Sequence, residues 1–228
     1  MIKKGGVWTF ANYVWNNEQT EAFFTTSGSI ESFEWIDDDG ETKNVNYQVP
    51  PFSQCFTCHN SFGTTLPIGP KPQNLNKDYE YVDGISNQLN KWIEFNYLNN
   101  NIPSNITSTI NWKDVSFDLE LRTRSYLDIN CAHCHSEESF CEYRPLRLAF
   151  SETTDLVNLG VCVEVDQDVE QGFTKIIEPG DAENSIMSFR MNSVLEEYKM
   201  PLIGRNLKHI EGVQLIEDWI NSLEINCE

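Results

Sequence analysis

The chain has 228 residues, 39% of them hydrophobic and 12% aromatic, which is enough for a buried core and excludes a disordered chain. Its 35 acidic and 16 basic residues leave a formal net charge of −19, which argues against nucleic acid and anionic lipid surfaces and fits a basic partner or, more simply, a solubilising surface. No apolar run approaches the roughly 20 residues of a membrane span, and no apolar segment of a secretory leader follows Met1-Ile2-Lys3-Lys4.

Residues 1–49 read as a β-rich segment. Val7–Trp15 is dense in aromatic and β-branched residues, and Phe33–Ile36 and Val45–Val49 flank the turn signal Asp38-Asp39-Gly40, so a strand and a hairpin are expected. A few strands alone make a poor core. This segment is therefore expected to lean on the rest of the chain, or on strands belonging upstream of a fragment. Pro50-Pro51 closes it and opens a first region, 50–112. There Cys55-Phe56-Thr57-Cys58-His59 precedes a Gly/Pro-rich loop from Gly63 to Pro72 and a helix expected over Ser86–Leu98, with Leu89, Trp92 and Ile93 on one face. A polar linker, Asn99–Ser108, follows.

In residues 113–228 a helix over Asp118–Asn130 runs into Cys131-Ala132-His133-Cys134-His135. Residues 140–177 read as an insertion containing strands at Leu146–Phe150 and Val161–Val165. Asp181 is the expected N-cap of a helix over Ala182–Ser193. The last helix, Lys208–Leu223, carries a broad apolar stripe that includes Gly212, Ile216 and Trp219.

The chemistry lies in the two Cys-X-X-Cys-His pentapeptides, the attachment signature of c-type haem. Two intervening residues let both sulfurs reach the vinyl groups on one porphyrin edge while the following imidazole sits under the iron. With 7 cysteines and 4 histidines in 228 residues, roughly 0.004 such matches are expected by chance, so two of them are a strong signal. The reading is two haem c groups, attached through Cys55, Cys58, Cys131 and Cys134, with His59 and His135 as iron ligands.

Sixth ligands must come from elsewhere. The methionines are Met1, Met187, Met191 and Met200; Met200, before Pro201 on a loop ahead of the last helix, is the candidate for the second iron, while Met187 and Met191 at helical spacing read as core. His/Met ligation raises the haem potential and closes the iron to other ligands. For the first iron a histidine, an asparagine, a lysine or an open position all remain. His133 reads as filling a variable motif position and His209 as a solvated helix end. Cys55 and Cys58 could instead form a disulfide or help bind zinc, but no further ligands cluster nearby in sequence. Cys141 and Cys162 are the candidates for a disulfide, the alternative being two buried thiols, and Cys227 has no evident partner.

The helix ending Tyr126-Leu127-Asp128-Ile129-Asn130, the motif after it, Met200-Pro201 and the tryptophan-bearing last helix resemble a class I cytochrome c domain over about residues 115–225. The resemblance implies mainly α cytochrome c-like haem domains, with a first-to-last helix crossing made by Gly212 and Trp219 against Tyr126. Further strings, Trp8 with Tyr13-Val14-Trp15, Gln73-Asn74-Leu75-Asn76, Arg124 to His135, Pro179-Gly180-Asp181 and Arg190-Met191, are similar to a group of exported bacterial dihaem c-type cytochromes. That likeness covers nearly the whole chain and implies electron transfer with a redox partner protein, in the periplasm or outside the cell. The fold expected is thus α+β overall: α haem domains with a β-rich N-terminal segment. A dihaem peroxidase-like enzyme with an open first haem is the alternative. A carbohydrate- or partner-binding β module is a third class, suggested by the N-terminal aromatics, which read more simply as core.

Overall fold

A computed structural model describes residues 1–166, 169 and 172–227. The N-terminal segment folds as three separate antiparallel hairpins. Strands β1 (Ile2–Lys4) and β2 (Val7–Thr9) form the first, β3 (Asn12–Trp15) and β4 (Ala22–Thr25) the second, and β5 (Ser29–Ile36) and β6 (Thr42–Val49) the third. The expected strand over Val7–Trp15 is broken at Phe10-Ala11. Phe10 turns inward there, 8% exposed, and its ring meets Phe52 and Phe56 edge-on at 5.5 and 5.0 Å. The third hairpin turns at the expected place, where the Asp37 carboxylate accepts from the backbone N–H groups of Asp39 and Glu41 at 3.0 and 2.9 Å.

Two-stranded sheets cannot enclose a core, and Tyr13, Trp15, Phe23, Phe24, Phe33 and Trp35 stay exposed. What anchors the segment is Phe10, with a hydrogen bond from Asn12 Nδ2 to the Pro50 carbonyl, 2.8 Å, beside it.

Helix α1 (Phe52–Cys58) starts directly after the extended Pro51 and holds the first motif. A short hairpin, β7 (Asn60–Ser61) with β8 (Thr64–Thr65), leads to α2 (Pro72–Leu75) and to the hairpin β9 (Asp78–Tyr81) and β10 (Gly84–Asn87). Asn87 then caps α3 (Gln88–Glu94) by accepting from the N–H groups of Leu89 and Asn90. The polar linker lacks regular structure but folds back on α2. Ser108 Oγ donates to the Asn76 carbonyl at 2.6 Å, and the Thr109 N–H donates to the Gln73 carbonyl at 3.0 Å.

The core lies in the second half. Helix α4 (Leu119–Asn130), capped by Asp118, packs against α7 (Ile210–Asn221), with α5 (Leu156–Leu159) and α6 (Ile186–Asn192) around them. Leu127, Leu148, Leu159, Ile177, Ile216, Trp219 and Ile220 form its centre. The helix crossing occurs where expected: a Cβ added at Gly212 would lie 2.1 Å from Tyr126 Oη, so only glycine permits this approach.

The expectation of mainly α haem domains is not met. The chain is 24% helix and 22% strand, an α+β fold of short helices and small antiparallel sheets. Helix α6 is shorter than expected because its first turn is replaced by another local bond. Asp181 is not the N-cap of α6; its carboxylate accepts from the Asn184 N–H at 3.1 Å and closes a turn, so the helix begins only after Ser185. The expected strands at Leu146–Phe150 and Val161–Val165 are loops with isolated bridges such as Val161 to Ile177 and Glu164 to Lys175. Part of that insertion, residues 167, 168, 170 and 171, lies outside the described residues.

The disulfide also differs from the expected Cys141–Cys162 pair. Cys162 bonds Cys227, with Cα atoms 5.3 Å apart, while Cys141 is a buried free thiol. Its N–H donates to the Cys134 carbonyl at 3.0 Å, which holds Cys141 beside the second motif.

Candidate functional site

The second motif forms where α4 ends. The N–H groups of Cys134 and His135 both donate to the Cys131 carbonyl, at 3.1 and 3.0 Å, which winds the pentapeptide into one turn. Ser139 Oγ ties that turn further, donating to the Ser136 carbonyl at 2.7 Å and reaching the Cys134 carbonyl. Both cysteines and His135 face a cavity of about 240 Å³, whose lining continues with Met191, Met200 and Tyr126. A second cavity of about 110 Å³ adjoins it, and the two share Cys131, His135, Met191 and Met200. Met200 is placed there by its N–H, which donates to the Arg190 carbonyl at 3.0 Å.

Burial sets the protonation here. It pushes the Cys131 thiol up to about 12 and pulls His135 down to about 4, so the imidazole is neutral near pH 7. Among the described residues, His135 Nδ1 is buried with no hydrogen-bond partner. In the smaller cavity the Arg190 Nε is likewise buried and unpartnered. The Arg205 guanidinium at the other side is held by the carbonyls of Met191, at 2.6 Å, and Ser193.

At the first motif, α1 supplies the turn that the second obtains from a loop: the His59 N–H donates to the Cys55 carbonyl at 3.0 Å. His59 Nδ1 lies 3.1 Å from the Leu66 carbonyl, with the Ile68 N–H 3.3 Å from the same nitrogen. With Nδ1 engaged by the backbone, Nε2 is the nitrogen available to a metal. Phe10 packs on the His59 ring at 5.5 Å, so the N-terminal segment contributes directly to the surroundings of this histidine.

The two motifs meet. Ligand atoms of Cys58, His133 and Cys134 all lie within 4.8 Å of one another. The thiols are tightly linked: hydrogen bonding from Cys134 and then from His133 draws Cys58 down to about 5, while the same contact raises Cys134. His133 is therefore no mere filler of a variable position, and its Nδ1 is buried without a partner. Two potential metal donors, His133 and Cys134, do lie beside Cys58, contrary to the sequence expectation, because the fold joins motifs 76 residues apart in the chain.

His209 is the exposed N-cap of α7, as expected of a solvated helix end, but it also has ordered neighbours. Its Nδ1 is 2.9 Å from Tyr126 Oη, the two rings stack at 5.6 Å, and Trp112 meets both edge-on. Burial pushes the Tyr126 hydroxyl up to about 12, so it stays protonated. Met191, read from spacing as core, lines both cavities together with Met200; its i+4 relation to Met187 gave no sign of this.

The donor set fits haem c. Each motif offers two thiols and an imidazole on one turn, an apolar cavity with a thioether lies over the second, and a buried arginine nitrogen without a partner suits a propionate. Comparison with protein-family models, with curated proteins and with solved structures gives no match, so the chemistry of this site rests on its own residues.

Proposed function

We propose that the chain is a dihaem c-type cytochrome that passes electrons between partner proteins. The observation that carries this reading is the pair of adjoining cavities at the second motif, in whose shared lining His135 and Met200 are both found beside Cys131. Cys55 and Cys58 would hold one haem with His59 on its iron, and Cys131 and Cys134 the other with His135 and Met200. The haems supply the one-electron redox chemistry; the protein holds both histidines neutral or backbone-oriented and surrounds the second site with apolar side chains. A disulfide between Cys162 and Cys227 agrees with an oxidising compartment, the periplasm or the cell exterior, where c-type haem is attached.

Pyridine haemochrome analysis of the protein matured with haem is expected to give two haems per chain. Met200→Ala is expected to abolish the methionine-to-iron charge-transfer band. Survival of that band in Met200→Ala, with its loss in Met191→Ala, would transfer the ligand role to Met191. Turnover of peroxide by the wild-type protein would replace electron transfer by a dihaem peroxidase reading.

A further inference from the structure

The contact between the motifs bears on how the two cofactors stand to each other, given the dihaem reading above. Each motif ends its Cys-X-X-Cys run with the cysteine that belongs to this contact: Cys58 in the first and Cys134 in the second. Cys58 also stands on the rim of the cavity that His135 and Met200 line, together with Thr57. Neither cysteine reaches this place through a mobile tail. Cys58 is the last residue of α1, and Cys134 sits in a turn closed by backbone bonds with Cys131 and Cys141 and by the Ser139 hydroxyl donating to its carbonyl.

We infer that Cys58 and Cys134 form a junction that sets the attached edges of the two haems against each other, with His133 beside it, so that the chain holds one coupled haem pair and not two separate carriers. A thioether sulfur is two bonds from the porphyrin ring. Sulfurs no more than 4.8 Å apart therefore hold the ring edges within roughly 10 Å of each other. The burial of His133 Nδ1 without a partner marks the same place as a meeting of two sites, because the imidazole of one motif is directed at the other and away from solvent.

The test is circular dichroism across the Soret band of the oxidised protein, with haem content measured on the same sample. Two haems and a two-signed couplet centred on the absorption maximum are the expected result. The double variant Cys55→Ala, Cys58→Ala should retain one haem and show a single-signed band. In parallel, ferric electron paramagnetic resonance should show signals altered by spin coupling, which the double variant replaces with those of an isolated haem. Two haems with a single-signed Soret band and two independent ferric signals would overturn the junction while leaving the dihaem reading intact. Fewer than two haems per wild-type chain would overturn both. If the double variant does not fold, the wild-type spectra decide the question alone.

Discussion

Asp128 has no exposed side-chain surface, and three donors meet its carboxylate: Lys71 Nζ at 2.5 Å, Asn74 Nδ2 at 3.2 Å and the Phe150 N–H at 2.9 Å. Removing a buried charge that satisfies several donors leaves those donors unpaired. Because Lys71 is 36% exposed and can recover water, Asp128→Ala is expected to cost about 2–3 kcal/mol, read from urea unfolding. His135 gives a pH dependence of definite sign. Its folded value, about 4, lies below the ordinary 6.5, so between those values the unfolded chain binds a proton that the folded site refuses. The contribution of His135 to the stability of the haem-free polypeptide is therefore fully present above pH 6.5 and is lost as pH falls toward 4; urea midpoints should fall across this range, and His135→Gln should flatten that part of the slope. The motif residues were legible in the sequence because their spacing is their chemistry. Asp128 was not, because its partners Lys71 and Asn74 lie 57 and 54 residues upstream, where no periodicity records them.

Among the elements, α7 follows its apolar stripe, burying Val213, Leu215, Ile216, Trp219 and Ile220, while α4 is fixed by its Asp118 cap and buries a mixed face of Thr123, Ser125, Tyr126, Leu127 and Asp128. The tight fit of Gly212 on Tyr126 makes α7 sensitive to a single methyl. Gly212→Ala must push the helices apart and is expected to lower stability by about 1–3 kcal/mol, visible as a lower thermal midpoint. The strands expected at Leu146–Phe150 misled for a physical reason. Leu148 and Phe150 are buried, at 2% and 6% exposure, so the alternation is real. It reports one buried face of an irregular loop, and nothing in it demands a ladder partner. The third N-terminal hairpin was legible from its turn residues and β-branched runs; the first two were not, nor was the inward turn of Phe10, whose partners Phe52 and Phe56 come from another part of the chain.

Across the whole molecule, the regions 50–112 and 113–228 are joined by more than their link in the chain. The Lys71 and Asn74 bonds to Asp128, the Ile110 N–H to Ser125 Oγ at 3.1 Å and the meeting of the two motifs all cross from one to the other. The Cys162–Cys227 bond closes a loop spanning 65 residues that contains α6, Met200 and α7. By chain entropy its loss is expected to cost about 2–4 kcal/mol, so Cys227→Ser, or reduction, should lower the urea midpoint. With a surplus of 19 negative charges, association with a basic macromolecule is expected to slow as added salt screens it.

The nearness of Cys58 to Cys134 also has a bearing on biogenesis. In a chain that folds before its cofactors are attached, an oxidant would find two thiols from different motifs side by side, one of them already drawn toward thiolate. Joining them would block an attachment point at each site in a single event. On the proposed dihaem reading, haem attachment would compete with that oxidation, and a reducing supply would keep these thiols open.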